Sequence, residues 1–151
     1  MEAVPPLLTP RNESEALGLA IYEVSRGWRG KIDEQLRPLG LSSASYLVVW
    51  TLAVTERRLS QKELAELCFV ESPSMVRLLD RLEARGLVRR QPAPGDRRKN
   101  EVLLTEAAVP LLETMTTLAR SVCNELLQDI PEADIAATLR FLQRIRSRLE
   151  E

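Results

Sequence analysis

The residues best equipped for chemistry are arginines. Arg77, Arg81 and Arg85 recur at i, i+4 and i+8, a spacing that lines side chains along one face of an α-helix, while Val76, Leu79 and Leu82 favour the other. A guanidinium presents a planar fork of donors that fits guanine O6 and N7 or a phosphate. Ser72 and Ser74 stand just ahead of this run, short hydroxyls suited to phosphate oxygens near a helix start. Further on, Gly95-Asp96-Arg97-Arg98-Lys99 puts two guanidiniums on a turn that could extend into a minor groove, with Asp96 able to brace one of them. The bland alternatives are a solvated helix face partly neutralised by Asp80 and Glu83, and an ordinary surface turn.

What is missing narrows the chemistry further. The chain has no His, so Ser-His-Asp, Cys-His and His-ligated metal sites cannot be assembled. Its two cysteines, Cys68 and Cys123, form neither a CxxC pair nor a ligand spacing, so buried free thiols are expected. Gly27-Trp28-Arg29-Gly30-Lys31 superficially resembles a phosphate loop but lacks the GxxxxGK[ST] spacing and falls inside a helical pattern. No enzymatic activity, metal or cofactor is expected.

A chain of 151 residues with 44% hydrophobic and 28% charged content is enough for one soluble globular domain or two small lobes. Aromatics are only 4%, and the dominance of Leu, Ala and Val favours helices over a β-sandwich. The whole chain carries 21 basic and 22 acidic residues, net −1, yet the distribution is uneven. Arg77 to Lys99 holds eight basic and three acidic residues, whereas Thr105 to Glu151 holds five basic and eight acidic. Such an electropositive island is expected where one face meets phosphate. Met1 to Pro10 does not read as a secretory leader, and Tyr46 to Val54, the longest apolar stretch, is far short of the ~20 residues of a membrane span. A cytoplasmic location is expected.

These residues need scaffolding, and the pattern supplies it. Residues 1–10 read as an extended arm. Leu17, Ala20, Ile21, Val24, Trp28, Ile32 and Leu36 keep the step of a long amphipathic helix over Arg11 to Arg37, ended by Pro38 and Gly40. Ser42 or Ser43 caps a second helix through Tyr46 and Trp50, expected to be largely buried. Ser60 and Glu63 form a capping box for a short helix reaching about Leu67. Ser72 reads as the cap of the next helix, with Pro73 in its first turn and Gly86 as its stop. A two-stranded hairpin follows, Leu87–Gln91 and Glu101–Leu104, with Pro92–Asp96 as its tip. Thr105 reads as the cap of a helix to about Gln128, kinked near Pro110, and Pro131 opens a last helix ending near Leu149.

The predicted fold is therefore mostly α with a small β-hairpin wing: a winged helix-turn-helix plus a helical dimerisation region. The segments are an arm (1–10), a dimerisation helix (11–40), the winged helix-turn-helix (41–105) and C-terminal dimerisation helices (106–151).

Ser60-Gln61-Lys62-Glu63-Leu64-Ala65-Glu66, the run from Val70 to Glu83, Gly86-Leu87-Val88, Asp96-Arg97-Arg98 and Leu104-Thr105 together resemble the MarR family of bacterial regulators. Trp28-Arg29, Ile32-Asp33, Leu36, Pro38-Leu39 and Leu41, with Leu104-Thr105-Glu106, Ala108 and Pro110-Leu111, resemble its SlyA-like branch. The resemblance covers roughly residues 15–150. It implies a homodimer in which the terminal helices form the interface and each winged helix reads half of a pseudo-palindromic operator on double-stranded DNA, commonly as a repressor. The matching DNA-contacting positions are Ser72, Pro73, Ser74, Arg77 and Arg81 in the groove, and Arg97 and Arg98 on the wing with Asp96 as brace.

The resemblance also implies a site for a small aromatic carboxylate effector at Arg26, Arg29, Tyr46, Trp50 and Leu78, beside the plainer reading that Tyr46 and Trp50 are packing residues. Members that sense oxidation carry a cysteine near the N-terminus, and none precedes Cys68 here. The competing class is a winged-helix module that binds protein without specific DNA binding, which would have no need of Arg77, Arg97 and Arg98 together.

Overall fold

The computed structural model describes residues 9–94 and 96–150, with 96–99 described by their backbone; most of the expected arm falls outside the described residues. The chain divides into two compact units, Met1–Ala119 and Arg120–Glu151.

In the first unit, helix α1 (Glu13–Leu36) starts at Asn12, whose side chain accepts from the Glu15 amide, and buries Leu36. A 3-10 turn at Arg37–Leu39 follows, closed by Gly40 at φ +66°. Ser42 caps helix α2 (Ser43–Val54). This helix is buried on one face only, through Ser45, Val48, Val49 and Thr51, while Trp50 and Val54 are exposed. Strand β1 (Leu59–Ser60) leads into helix α3 (Gln61–Leu67) through the expected capping box: Ser60 Oγ accepts from the Glu63 amide, and the Glu63 carboxylate accepts from the Ser60 amide at 2.8 Å.

Helix α4 (Ser72–Ala84) corrects one expectation. Its cap is Glu71, not Ser72, because Glu71 is extended and its carbonyl already accepts the first helical bond, from Met75 N–H at 2.9 Å. Ser72 and Pro73 are the first two helical residues, where a proline loses no bond.

Three helix ends use one device, in which a residue at or just after the cap adopts a left-handed conformation and two amides reach back to orphaned carbonyls. Gly40 and Leu41 donate to Arg37 and Leu36, Gly86 and Leu87 to Glu83 and Leu82, and Phe69 and Val70 to Glu66 and Ala65. Glycine holds the left-handed position twice; at the end of α3 it is Phe69, with φ +51°.

Strands β2 (Val88–Ala93) and β3 (Asp96–Leu104) form the wing, and β1 pairs with the far edge of β3 through Leu59 and Val102, giving the order β1-β3-β2. The sheet is thus three-stranded and its hairpin longer than expected. Pro92 is tolerated because β2 is an edge strand, and the register shifts beside it, between Pro92 and Ala93. Thr105 does not cap by its side chain: its hydroxyl donates to the Gly86 carbonyl at 2.6 Å, tying the base of the wing to the end of α4. After a 3-10 turn at Glu106–Ala108, helix α5 (Val109–Leu126) begins, with Pro110 as its second residue. The expected internal kink is therefore replaced by a helix start, which needs no N–H at that position.

A clamp joins the wing to α4. The Arg90 guanidinium donates to Glu83 Oε2 from both Nε (3.0 Å) and Nη2 (2.7 Å) and from Nη2 to Asp80 Oδ1 (2.5 Å), and its amide donates to Glu83 Oε1 at 2.8 Å. The core beneath it joins Leu36, Val48, Leu59, Leu64, Met75, Leu79, Leu82, Val88, Val102 and Met115.

The second unit contains the end of α5 and helix α6 (Glu132–Leu149), which opens after Pro131 as expected and has no buried residue. Leu139, Phe141, Leu142 and Leu149 are all exposed.

Hydrogen bonds from Ser60, then Arg57, bring the Glu63 carboxyl from 4.5 down to about 2, and those from Arg90 lower that of Glu83. Both ionised carboxylates therefore favour the fold; the contribution of Glu63 is complete above the ordinary carboxylate range and is lost as the pH falls from about 4.5 toward 2, and that of Glu83 is likewise lost in acid. Urea denaturation of the wild type should show stability declining across that window, and Glu63→Gln should decline less; equal slopes would remove Glu63 as a source. Leu79→Ala, at a fully buried position, is expected to cost ~2–5 kcal/mol, and a loss below about 1 kcal/mol would mean that the core there collapses freely.

Candidate nucleic-acid interface

Helix α4 turns Met75, Leu78, Leu79 and Leu82 into the core and leaves Ser72, Pro73, Val76, Arg77, Asp80, Arg81 and Arg85 exposed. Glu71 makes no side-chain cap bond, so the cap residue's side chain leaves the first amides of α4 open. An exposed helix start in this condition attracts anions, since its N–H groups and the helix dipole both present positive potential. Arg77 lies one turn in, its Nη2 at 3.4 Å from the Ser74 hydroxyl, a long contact that leaves most of the guanidinium fork unengaged.

The basic stripe read from the sequence divides in two. Arg77 stands with Ser72, Pro73 and Ser74 at the N-terminal half. Arg81 and Arg85 line a cavity of about 140 Å³ together with Gly40, Leu41, Ser42, Ser45 and Leu82, and Arg85 Nη1 donates to the Gly40 carbonyl at 3.2 Å. A drift of 40° per four residues along a 3.6-residue helix turns the later arginines toward α2. Asp80 and Glu83, which the sequence suggests as neutralising charges on the helix face, hold Arg90 instead.

On the wing, the backbones of Asp96, Arg97 and Arg98 belong to β3, and their side chains fall outside the described residues. Of the residues implied for an effector, Arg26 and Arg29 are exposed, and Arg29 Nε donates to the Ser25 carbonyl at 3.4 Å. Tyr46 is half-buried against the core, Trp50 is 42% exposed, and Leu78 lies in the core. None of these five lines the cavity beside Arg81. Among the described residues no acidic or cysteine cluster could hold a metal, and no helix is long and apolar enough to cross a membrane. Cys68 is buried with its thiol 3.7 Å from Thr51 Oγ1, and burial pushes the thiol up, away from the reactive thiolate.

The sequence reading missed the Arg90 clamp, although Asp80 and Glu83 at i and i+3 share a helix face and Arg90 follows the Gly86 turn. It missed the cavity, whose walls come from separate segments, and it gave no role to Phe69.

Residues 39–99 match the model of the MarR family. The chain is 40% identical to the transcriptional regulator PA3341, whose crystal structure aligns with a TM-score of 0.80 over 89% of this chain and 98% of that one. A cysteine-to-serine mutant of MarR from E. coli complexed with operator DNA is 27% identical, with a TM-score of 0.77 over 89% of this chain and 96% of that one. CouR from Rhodococcus jostii RHA1, bound to p-coumaroyl-CoA, is 26% identical, with a TM-score of 0.75 over 90% of this chain and 95% of that one. The winged helix, the exposed start of α4 and an identity that extends over nearly all of both chains lead to one conclusion: this protein belongs to the MarR family of transcriptional regulators.

Proposed function

We propose that the chain is a homodimeric, sequence-specific DNA-binding regulator that reads a pseudo-palindromic operator through two copies of α4 and its wing and answers to a small aromatic or anionic ligand. The observation that carries the reading is the N-terminal half of α4, where Ser72, Pro73 and Arg77 are exposed beside a half-buried Ser74, on a helix clamped to the wing by Arg90. A helix that enters the major groove contacts base edges with such N-terminal residues, and a wing fixed beside it reaches the neighbouring backbone. Ser72 and Ser74 suit phosphate oxygens and Arg77 suits guanine, and the role proposed for Arg97 and Arg98 is the minor groove, with Asp96 as brace.

Apolar surface supports the dimer. Helix α1 exposes Leu17, Leu19, Ile21, Tyr22 and Val24, and α6 exposes Leu139, Phe141 and Leu142, more apolar surface than a lone soluble chain ordinarily shows to water. A second copy covering these faces would set the two α4 helices at a fixed spacing, the geometric basis of half-site recognition. For the ligand, the cavity is a better-formed receptor than the set Arg26, Arg29, Tyr46, Trp50 and Leu78, because Arg81, Arg85, Ser42 and Ser45 supply donors around one concavity. A carboxylate drawn to Arg81 would engage a guanidinium of the groove helix itself, coupling effector to operator.

Selection from randomised duplex DNA should enrich one pseudo-palindrome with half-sites about one helical turn apart; a flat pool would favour a protein-binding winged helix instead. On the selected operator, Arg77→Ala should weaken binding by about 1–3 kcal/mol and relax preference at one position; unchanged affinity and preference would remove Arg77 from the groove. Calorimetric titration with salicylate should lose its signal in Arg81→Ala and keep it in Arg29→Ala. The reverse pattern would move the effector to Arg29, Tyr46 and Trp50.

A further inference from the structure

Phe69 is the most exposed of the large hydrophobic side chains among the described residues, at 96%, and its backbone is left-handed at φ +51°. A residue with a Cβ is disfavoured there, and a bulky one markedly so. The two other helix ends with the same hydrogen-bond pair place Gly40 and Gly86 at that position, so the turn itself gains nothing from an aromatic ring. With almost its whole surface in water, the ring gains nothing from the core either. Local strain without an internal return marks a residue kept for contact with something outside the chain.

The location says what that partner is. Phe69 sits in the turn between α3 and α4, three residues before Ser72, at the end of α4 that the proposed function sends into the major groove. Its neighbours Glu66 and Glu71 are exposed carboxylates, Glu66 lying 3.9 Å from Lys62, and neither they nor the ring offers a phosphate a donor. A neutral apolar feature on a base edge remains, and the major groove offers one such feature, the thymine 5-methyl group.

We propose that Phe69 is a specificity-determining residue that packs against a thymine methyl in each half-site. The proposal rests on the DNA-binding reading above. It trades a strained, water-exposed ring in the free protein for an apolar contact made only on the operator.

The experiment uses the full chain, the selected operator and a series of duplexes in which each thymine of a half-site is replaced in turn by deoxyuridine, which lacks only the methyl. Phe69→Gly should raise the melting temperature, because the left-handed turn is relieved, and should weaken operator binding roughly tenfold, the usual scale for one base-pair contact. One deoxyuridine substitution should weaken the wild type and leave the affinity of Phe69→Gly unchanged. Phe69→Leu, still apolar and still strained, should keep part of the affinity and show no rise in melting temperature. Wild-type affinity and wild-type response to every deoxyuridine duplex in Phe69→Gly would overturn the proposal, as would a loss of affinity that couples to no thymine. A wild type that selects no operator at all would instead overturn the DNA-binding reading, so the two failures are distinguishable.

Discussion

The working geometry of the winged helix hangs on one ion cluster. Arg90 leaves β2 and is gripped by Glu83 and Asp80, one helical turn apart on α4, while its own amide is held by the same Glu83. Side-chain and backbone donors thus converge on a single carboxylate, which fixes both the position and the rotation of the strand against the helix. Exposed pairs of this kind add little to global stability. Their value is orientation: a groove helix and a wing that must meet one duplex together need a fixed mutual angle. Thr105 does the same at the base of the hairpin, its hydroxyl bonding the Gly86 carbonyl where α4 ends.

How much of this was legible depended on whether the signal was local. The capping box at Ser60 and Glu63 and the glycine stops at Gly40 and Gly86 are written in short windows, and the structure has them. The stop at Phe69 uses the same hydrogen bonds but a residue type that carries no turn signal. Ser72 looked like a cap because serine commonly is one, yet Glu71 takes the position with its backbone alone. Thr105 does stand at the cap position, of the 3-10 turn before α5, but its hydroxyl is engaged across the fold. Strand β1 is two residues long, too short for any periodicity, and exists only because Leu59 is buried beside Val102 on β3.

The candidate site follows the same rule. The sequence sets Ser72, Pro73, Ser74 and Arg77 near the start of one helix, and in the fold Ser72, Pro73 and Arg77 are exposed there while Ser74 is half-buried. It also placed Arg81 and Arg85 with Arg77, and here tertiary context intervenes: the chain reversal after Gly40 brings backbone carbonyls and serine hydroxyls near the C-terminal half of α4, and the later arginines turn to them. A helical wheel describes one helix and is blind to what the next segment brings within reach.

This division changes what the basic island means. Read as a list, the segment from Arg77 to Lys99 sets three acids against eight bases, and the two acids on α4 seem to blunt the stripe. In the fold both of those acids face Arg90, three and six residues beyond Arg77, or roughly 4.5 and 9 Å along the helix axis. The first turn of α4 and Arg77 are thereby left with the positive end of the helix dipole and without an acidic ion-pair partner among the described residues. A chain of net charge −1 can therefore present a local face that attracts phosphate, because the placement of charge, and not its sum, decides the field that a duplex meets.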